Sequence, residues 1–180
     1  MHVTFGAYYT LIMAVLVLLL GKFLTRYVRF LRDFNIPEPV SGGLVVALSI
    51  FVIHLFTGLT VSFEGSLQSA FMLVFFSSIG LSANFAKLRE GGTGLFIFLG
   101  VIAVFIMVQN AVGVALAALL GLEPLIGLVA GSITLVGGHG TAGAWGSVLE
   151  SQYGLTGATT LGIACATFGL IIGGLLGGPL

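Results

Sequence analysis

The residues best suited to binding a solute lie in one short polar stretch. Ser132 and Thr134 supply hydroxyls, and the segment Gly137-Gly138-His139-Gly140-Thr141 follows them, between two apolar runs. If those runs lie in a membrane, each unpaired backbone N–H or C=O group at the glycines costs several kcal/mol. Irregular chain is then tolerated only against other protein or a water-filled cavity. We therefore expect this glycine break to line the path of a solute or an ion.

The composition places this stretch in a membrane protein. The 180 residues are 58% hydrophobic and 7% charged, with a mean hydropathy of +1.20. A soluble domain of this composition would be left with an apolar surface. The length allows about five or six spans of ~20 residues with short loops, and no separate soluble domain. A single cysteine, Cys165, excludes an intramolecular disulfide.

The charged residues orient the first two spans. An apolar segment at 8–21 is followed by four basic residues: Lys22, Arg26, Arg29 and Arg32. Under the positive-inside rule this order predicts an external N-terminus. The run Ile36-Pro37-Glu38-Pro39 stops helix continuation, and a second span is predicted at 40–57. Arg26, Arg29 and Arg32 have a helical spacing and form a basic face, for which anionic lipid headgroups are a sufficient partner. We expect no nucleic-acid partner.

Two further spans are predicted at 67–84 and 93–120. The apolar part of the third, 16 residues or ~24 Å as a helix, is shorter than a ~30 Å hydrocarbon core, so its polar tail must help it across. Lys87 and Arg89 then mark a cytoplasmic turn. The fourth is long enough to cross with some tilt, and it brings Glu123 to the outside.

The glycine break is predicted to form a re-entrant hairpin over 124–149. Only 13 residues, or ~20 Å of helix, precede the break, which is too short to cross. The chain would enter from outside, turn at the glycines and return to an external loop at 150–154, before a last span at 155–178. The alternative, a full span over 124–149, would place the C-terminus outside.

The hairpin layout separates the charges by side. All six Lys and Arg residues fall on the cytoplasmic side, whereas Glu64, Glu123 and Glu150 fall outside. We therefore predict one all-α integral membrane domain over 1–180, with five transmembrane helices, one glycine-rich re-entrant hairpin, and residue 180 in the cytoplasm. After an odd number of spans, a second copy fused to the chain would lie in the opposite orientation in the membrane. This layout is therefore typical of half of an inverted-repeat secondary transporter.

Four motifs give the sequence a specific family resemblance. In chain order they are Ile36-Pro37-Glu38-Pro39-Val40 with Gly42-Gly43, Gln109-Asn110-Ala111-Val112-Gly113, Ala130-Gly131-Ser132-Ile133-Thr134-Leu135 with Gly137-Gly138-His139-Gly140-Thr141, and Ala164-Cys165-Ala166-Thr167-Phe168-Gly169-Leu170. This pattern resembles the bacterial sodium/glutamate symporter family. The resemblance covers nearly the whole chain but only the N-terminal half of the family. Full members carry a second, inverted domain, which we expect to be missing here.

The resemblance implies secondary active transport. A family member would carry L-glutamate with Na⁺ as the coupling ion across the bacterial inner membrane, as a homodimer with a scaffold part and a moving part. It would be neither an enzyme nor dependent on a cofactor. This chain would supply the N-terminal half of that machinery. Another small carboxylate stays open as the substrate, and a rocking movement stays open beside the elevator movement of the family.

Ten residues are candidates for binding the substrate or the ion: Gln109, Asn110, Ser132, Thr134, Gly137, Gly138, His139, Gly140, Thr141 and Thr167. Free N–H groups around glycines and the positive ends of half-helices attract carboxylates, whereas unwound carbonyls and hydroxyls suit Na⁺. The candidate Na⁺ ligands are Asn110, Thr134 and Thr167.

Each candidate also has a purely structural interpretation. His139 is either a substrate contact, a proton-sensitive group, or a residue hydrogen-bonded to neighbouring backbone. The hydroxyls of Ser132, Thr134 and Thr167 can bond to a carbonyl one turn back. Gln109 and Asn110 can join helices, and because adjacent positions diverge by ~100° we expect only one to face the site.

Glycines four residues apart are predicted to serve helix packing. This spacing is shown by Gly127 with Gly131 and by Gly169, Gly173 and Gly177, and small residues let membrane helices approach closely.

Other functional classes fit the sequence less well. An enzyme is disfavoured by the lack of a metal-ligand spacing, a nucleophile elbow or an acid/base partner beside His139. A channel would need a continuous polar lining on several spans, whereas polarity here is concentrated at one break. A non-transporting membrane scaffold subunit remains the alternative from a different class.

Overall fold

A computed structural model describes residues 2–84 and 89–178, which form two compact units. One unit holds the described residues up to Leu81 together with those from Gly173 onward, and the other is Ser82–Ile172. Lys87, assigned above to a cytoplasmic turn, lies outside the described residues.

The first unit is built on two long apolar helices, α1 (Ala7–Tyr27) and α3 (Glu38–Thr57), with the short α2 (Arg29–Asp33) between them. No helix breaker follows the apolar segment at 8–21, so α1 continues six residues beyond it. Pro37 precedes the first residue of α3, as the Pro-Glu-Pro run predicts. Gly58 ends α3 with φ of 66°, a left-handed conformation that favours glycine.

Two glycines allow α1 and α3 to touch through their backbones. A Cβ on Gly21 would overlap the carbonyl of Glu38, and a Cβ on Gly42 would overlap the carbonyl of Val17. Gly21 and Gly42 are both buried. Any side chain at either position would force the helices apart.

A short parallel pair of strands, which the sequence did not predict, joins two distant parts of this unit. Strand β1 (His2–Phe5) pairs with β2 (Thr60–Phe63), and the Phe5 and Phe63 rings stack at a centroid distance of 5.5 Å. Beyond β2, the Glu64 carboxylate accepts hydrogen bonds from the Ala7 N–H at 2.8 Å and the Ser66 hydroxyl at 2.7 Å. Glu64 therefore ties the first turn of α1 to the start of α4 (Ser66–Ser82).

The second unit contains one long helix and a broken segment. The long helix is α5 (Gly92–Leu119). The broken segment comprises α6 (Pro124–Leu128), a π-helical turn (Val129–Ile133) and α7 (Gly138–Tyr153). Most of α8 (Ala158–Gly177) also belongs to this unit, up to Ile172.

The core of the second unit is a small apolar cluster of Val129, Leu149, Leu155 and Ala158. Helix α7 runs through Tyr153, so most of the external loop predicted at 150–154 is helical, and Gly154 ends the helix with φ of 69°. The helix continues to Tyr153 because no proline or glycine occurs between Gly146 and Gly154.

Within the described ranges, four helices are long and apolar enough to cross a membrane: α1, α3, α5 and α8. All four coincide with predicted spans. Helix α4 also lies where a span was predicted, and its 17 residues make it short, as the sequence indicated. The described chain is therefore predominantly α-helical and has the character of a multi-pass membrane protein.

Candidate functional site

The broken segment of the second unit departs from helical geometry at two places. Gly131, inside the π-helical turn, has φ of −98° and ψ of −122°, well away from helical values. The chain then turns at Val136 and Gly137, and Gly138 has φ of 76°, in the left-handed region that favours glycine. The glycine break predicted from the sequence thus occurs at its first two glycines. His139 and Gly140 already lie in the first turn of α7.

At the irregular backbone, a side-chain hydroxyl donates a hydrogen bond to a carbonyl that lacks its usual N–H donor. The N–H groups of Val136 and Gly137 both donate to the Ser132 carbonyl, which leaves the Ile133 carbonyl without the usual helical N–H donor. The Thr141 hydroxyl donates to that carbonyl at 2.7 Å, from the other side of the turn. Thr141 therefore bridges the break, in a role that sequence spacing did not predict.

The side chain of Thr134 is more deeply buried than that of Thr141. Its hydroxyl donates to the Val129 carbonyl at 2.7 Å, and the side chain is only 3% exposed. The structural interpretation made from the sequence, a hydroxyl bonded to a carbonyl about one turn back, describes this contact. The oxygen keeps lone pairs, but the burial of Thr134 limits access to them.

His139 and Thr167 form a hydrogen-bonded pair between α7 and α8. The His139 Nε2 and Thr167 Oγ1 atoms are 2.9 Å apart, and both side chains are half-buried. The Thr167 hydroxyl also lies 2.8 Å from the Ile163 carbonyl of its own helix. Two candidates separated by 28 residues in the sequence are thus brought together.

A cavity of about 490 Å³ lies beside the break. Asn110 of α5 lines it together with three candidates from the broken segment: Ser132, Gly137 and Thr141. The Asn110 Oδ1 atom is buried and accepts no hydrogen bond from the described residues. It lies 3.5 Å from the position that a Cβ would take on Gly131, so the amide oxygen faces the irregular turn. A buried amide oxygen without a donor is a costly arrangement that a cation or an N–H donor would relieve.

Gln109 lines a different cavity, of about 350 Å³. Its buried Oε1 also finds no donor in the part of the chain that the structure describes. The other lining residues of this second cavity are apolar or glycine, including Gly113 and Gly127. Of the two adjacent amides, Asn110 is the one that shares a cavity with polar residues of the break.

Two glycines hold the broken segment against α5. A Cβ on Gly127 would overlap the Gly113 carbonyl, and a Cβ on Gly113 would overlap the Gly127 carbonyl. Gly127 therefore serves packing, as its spacing predicted. Gly131 differs from Gly127, because its irregular backbone makes it part of the break.

Sequence reasoning missed the aromatic wall of the larger cavity. Trp145 and Tyr153 line it from α7, on the same face as Thr141 and Leu149. The four-residue spacing of these side chains after the break was the signal that could have identified them. Apart from the Tyr153 phenol, no ionisable side chain among the described residues lines this cavity.

The start of α7 offers partial positive charge. Gly137 caps the helix without a side-chain hydrogen bond, and no side chain in the described part of the chain accepts from the first N–H groups of α7, from Gly138 to Gly140. Unpaired N–H groups at a helix N-terminus attract anions. The broken segment thus carries a donor-rich helix end and the ring of His139, and its turn at Gly131 faces the acceptor oxygen of Asn110 on α5.

Comparisons with known proteins agree with this picture. A family model described as sodium/glutamate symporter matches residues 3–180. The chain is 51% identical over 180 residues to the sodium/glutamate symporter of Haemophilus influenzae, covering all of this chain and 45% of that protein. It is 53% identical over 171 residues to the sodium/glutamate symporter of Escherichia coli K12, covering 95% of this chain and 43% of that protein. No solved structure matches.

The chain spans less than half the length of these curated relatives. The family model nevertheless covers almost all of the chain, which confirms the resemblance carried by the four motifs. The chain belongs to the sodium/glutamate symporter family.

Proposed function

We propose that this chain forms the N-terminal part of a secondary transporter that moves L-glutamate with Na⁺ across the bacterial inner membrane. Both curated relatives are named sodium/glutamate symporters, and the identity extends along 95% or more of the chain. The observation that carries the proposal is the buried Asn110 Oδ1 beside the irregular turn at Gly131, an oxygen for which the described residues supply no donor. Such a buried oxygen at broken backbone is suited to a Na⁺ ion.

The candidate residues divide into two roles in this proposal. Asn110 is the leading Na⁺ ligand, because its oxygen has no competing donor among the described residues. Thr134 and Thr167 are weaker candidates, since both hydroxyls lie within hydrogen-bonding distance of a carbonyl. The N–H groups at Gly138, His139 and Gly140, which have no side-chain acceptor within residues 2–84 and 89–178, are suited to a substrate carboxylate.

The topology proposed from the sequence remains our proposal, with five spans formed by α1, α3, α4, α5 and α8. The helical stretch Pro124–Ile133 is ten residues long, or ~15 Å, and cannot cross a ~30 Å core. Helices α6 and α7 would then form a re-entrant hairpin, with the N-terminus outside and residue 180 in the cytoplasm. We further propose that the transporter is a homodimer.

The hairpin can be tested by accessibility labelling. In a Cys165→Ala background, Glu123→Cys and Glu150→Cys should both react with a membrane-impermeant maleimide added outside intact cells. Arg29→Cys, on the proposed cytoplasmic side, should react only after the membrane is opened. Labelling of Glu123→Cys and Glu150→Cys from opposite sides would establish a full span instead.

Transport itself can be tested in proteoliposomes. Na⁺-gradient-driven uptake of labelled L-glutamate should be compared for this chain alone and for this chain joined to the remaining C-terminal part of the Escherichia coli relative. We expect uptake with the joined protein and its loss when the Na⁺ gradient is collapsed. Folded protein without uptake in either preparation would contradict the proposal and favour a scaffold role. Competition by other small carboxylates would establish the substrate range.

A further inference from the structure

The proton of the Thr167 hydroxyl can be assigned from its two contacts. Oγ1 lies 2.8 Å from the Ile163 carbonyl oxygen and 2.9 Å from His139 Nε2. A carbonyl only accepts hydrogen bonds, so at this distance the hydroxyl hydrogen must lie between Oγ1 and the carbonyl. The hydroxyl has no second hydrogen to donate to His139. His139 Nε2 must therefore carry the hydrogen of the contact between the two side chains.

This assignment fixes the state of the other ring nitrogen. A neutral imidazole carries one hydrogen, so His139 with Nε2–H leaves Nδ1 as an acceptor. Within residues 2–84 and 89–178, no donor is hydrogen-bonded to His139 Nδ1. The half-buried ring, in the first turn of α7, thus has one nitrogen bound to the protein and one lone pair to offer.

His54 provides the opposite case in the same chain. Its Nδ1 lies 2.9 Å from the Leu59 carbonyl oxygen, so Nδ1 must be the protonated nitrogen there. In their neutral forms the two histidines therefore have opposite tautomers, each determined by a neighbouring acceptor.

We propose that Thr167 is a positioning residue that holds His139 in the Nε2–H tautomer, so that Nδ1 accepts a hydrogen bond from the ammonium group of an amino-acid substrate. This inference rests on the proposed function and adds to it the part of the substrate that His139 recognises. An imidazole lone pair repels a carboxylate, and Na⁺ prefers oxygen ligands. The N–H of an ammonium group matches a neutral nitrogen acceptor, and the bond is charge-assisted.

Selectivity follows from this assignment. A dicarboxylate without an amino group would leave Nδ1 without a donor, whereas L-glutamate would supply one. The donor-rich start of α7 would bind a carboxylate of either compound. His139 would thus distinguish an amino acid from the corresponding dicarboxylate, with a preference of at least about tenfold for one charge-assisted hydrogen bond.

The tautomer is tested by NMR of the joined protein labelled with ¹⁵N-histidine. Subtracting the spectrum of His139→Gln isolates the His139 signals, and His54 serves as an internal reference of the opposite tautomer. We expect a protonated Nε2 and an unprotonated Nδ1 in the wild type and in Thr167→Ser, and a mixture of tautomers in Thr167→Val. The control Thr25→Val, which removes a hydroxyl bonded only within its own helix, should change neither signal. A protonated Nδ1 in the wild type would overturn the proposal.

Recognition of the ammonium group is tested by competition in the uptake assay. In the wild type, unlabelled L-glutamate should displace the labelled substrate at a concentration at least about tenfold lower than glutarate, which lacks the amino group. That ratio should fall toward one in Thr167→Val and in His139→Gln, and recover in Thr167→Ser. A wild type that transports but whose variants keep the full ratio would overturn this inference alone. A joined protein that folds but takes up no glutamate would instead overturn the proposed function.

Discussion

Side-chain hydroxyls behave differently in the regular helices of the first unit and at the break of the second. In α1 and α3, the hydroxyls of Thr25, Ser41 and Ser49 each donate to the carbonyl four residues earlier. At the break, Thr141 instead reaches a carbonyl eight residues earlier. A hydroxyl in a regular helix bonds to a carbonyl that already has a donor, whereas the Thr141 hydroxyl supplies the one donor that the described residues offer to the Ile133 carbonyl. The same residue type is therefore dispensable in one region and structural in the other.

The glycine contacts show a second difference. Gly21 and Gly42 join two complete helices of the first unit, while Gly113 and Gly127 hold a short, broken segment against a complete helix. The short segment has few turns through which to compensate for a lost contact. We expect the second unit to be the more sensitive of the two to substitutions at such contacts.

The largest effect is expected from Gly127→Ala. Its Cβ would overlap the Gly113 carbonyl, so α6 must move away from α5, at a cost of ~3 kcal/mol in the free energy of unfolding. Thermal unfolding in detergent measures this loss of stability. Gly100→Ala is the control, since nothing lies within 4 Å of its added Cβ. Equal losses from both variants would show that the glycine contact is unimportant.

Thr141→Val is expected to cost ~2 kcal/mol, because it leaves the Ile133 carbonyl without a donor across the break. Thr25→Val should cost much less, because the Gly21 carbonyl keeps its helical N–H. Denaturant titration of the two variants tests the comparison of hydroxyls directly. The proposed difference between the two regions would be contradicted if Thr25→Val lowered the free energy of unfolding as much as Thr141→Val, or if Thr141→Ser did not restore it.

Asn110→Ala is expected to raise the Na⁺ concentration needed for half-maximal uptake at least about tenfold, or ~1.4 kcal/mol. Removing an unpaired buried oxygen should leave stability unchanged or slightly improved, which separates this effect from misfolding. Gln109→Ala is the matched variant, since Gln109 lines the apolar cavity. A larger Na⁺ effect from Gln109→Ala would reverse the assignment of the two amides.

The smallest effect is expected from Ser147→Ala, below about 0.5 kcal/mol. Ser147 lies in the second unit, but its hydroxyl donates to the Gly143 carbonyl four residues earlier, in the regular part of α7. This variant separates the influence of the unit from that of the break. An unfolding cost close to that of Thr141→Val would mean that the whole unit, and not the irregular backbone, makes its hydroxyls important.

The sequence predicted the features that depend on local composition. Long apolar runs located the helices, Pro37 marked the start of α3, and the cluster from Gly137 to Gly140 located the turn before α7. The strand pair was missed because β1 and β2 are four residues each and pair only after distant parts of the chain meet. The irregular turn at Gly131 was missed because its spacing from Gly127 indicated packing. The contact between His139 and Thr167 depends on how α7 lies against α8, which residue patterns do not specify.

The tie between Glu64 and the start of α1 has a consequence for the order of assembly during synthesis. The Ala7 N–H bonds to a carboxylate 57 residues later in the chain. At ~5–20 residues per second, a ribosome takes on the order of 3–11 seconds to make that stretch, so α1 and α3 are both synthesised before the tie can form. Strand β2 reaches β1 at the same stage. The N-terminal end of the protein is therefore completed late, although it is translated first.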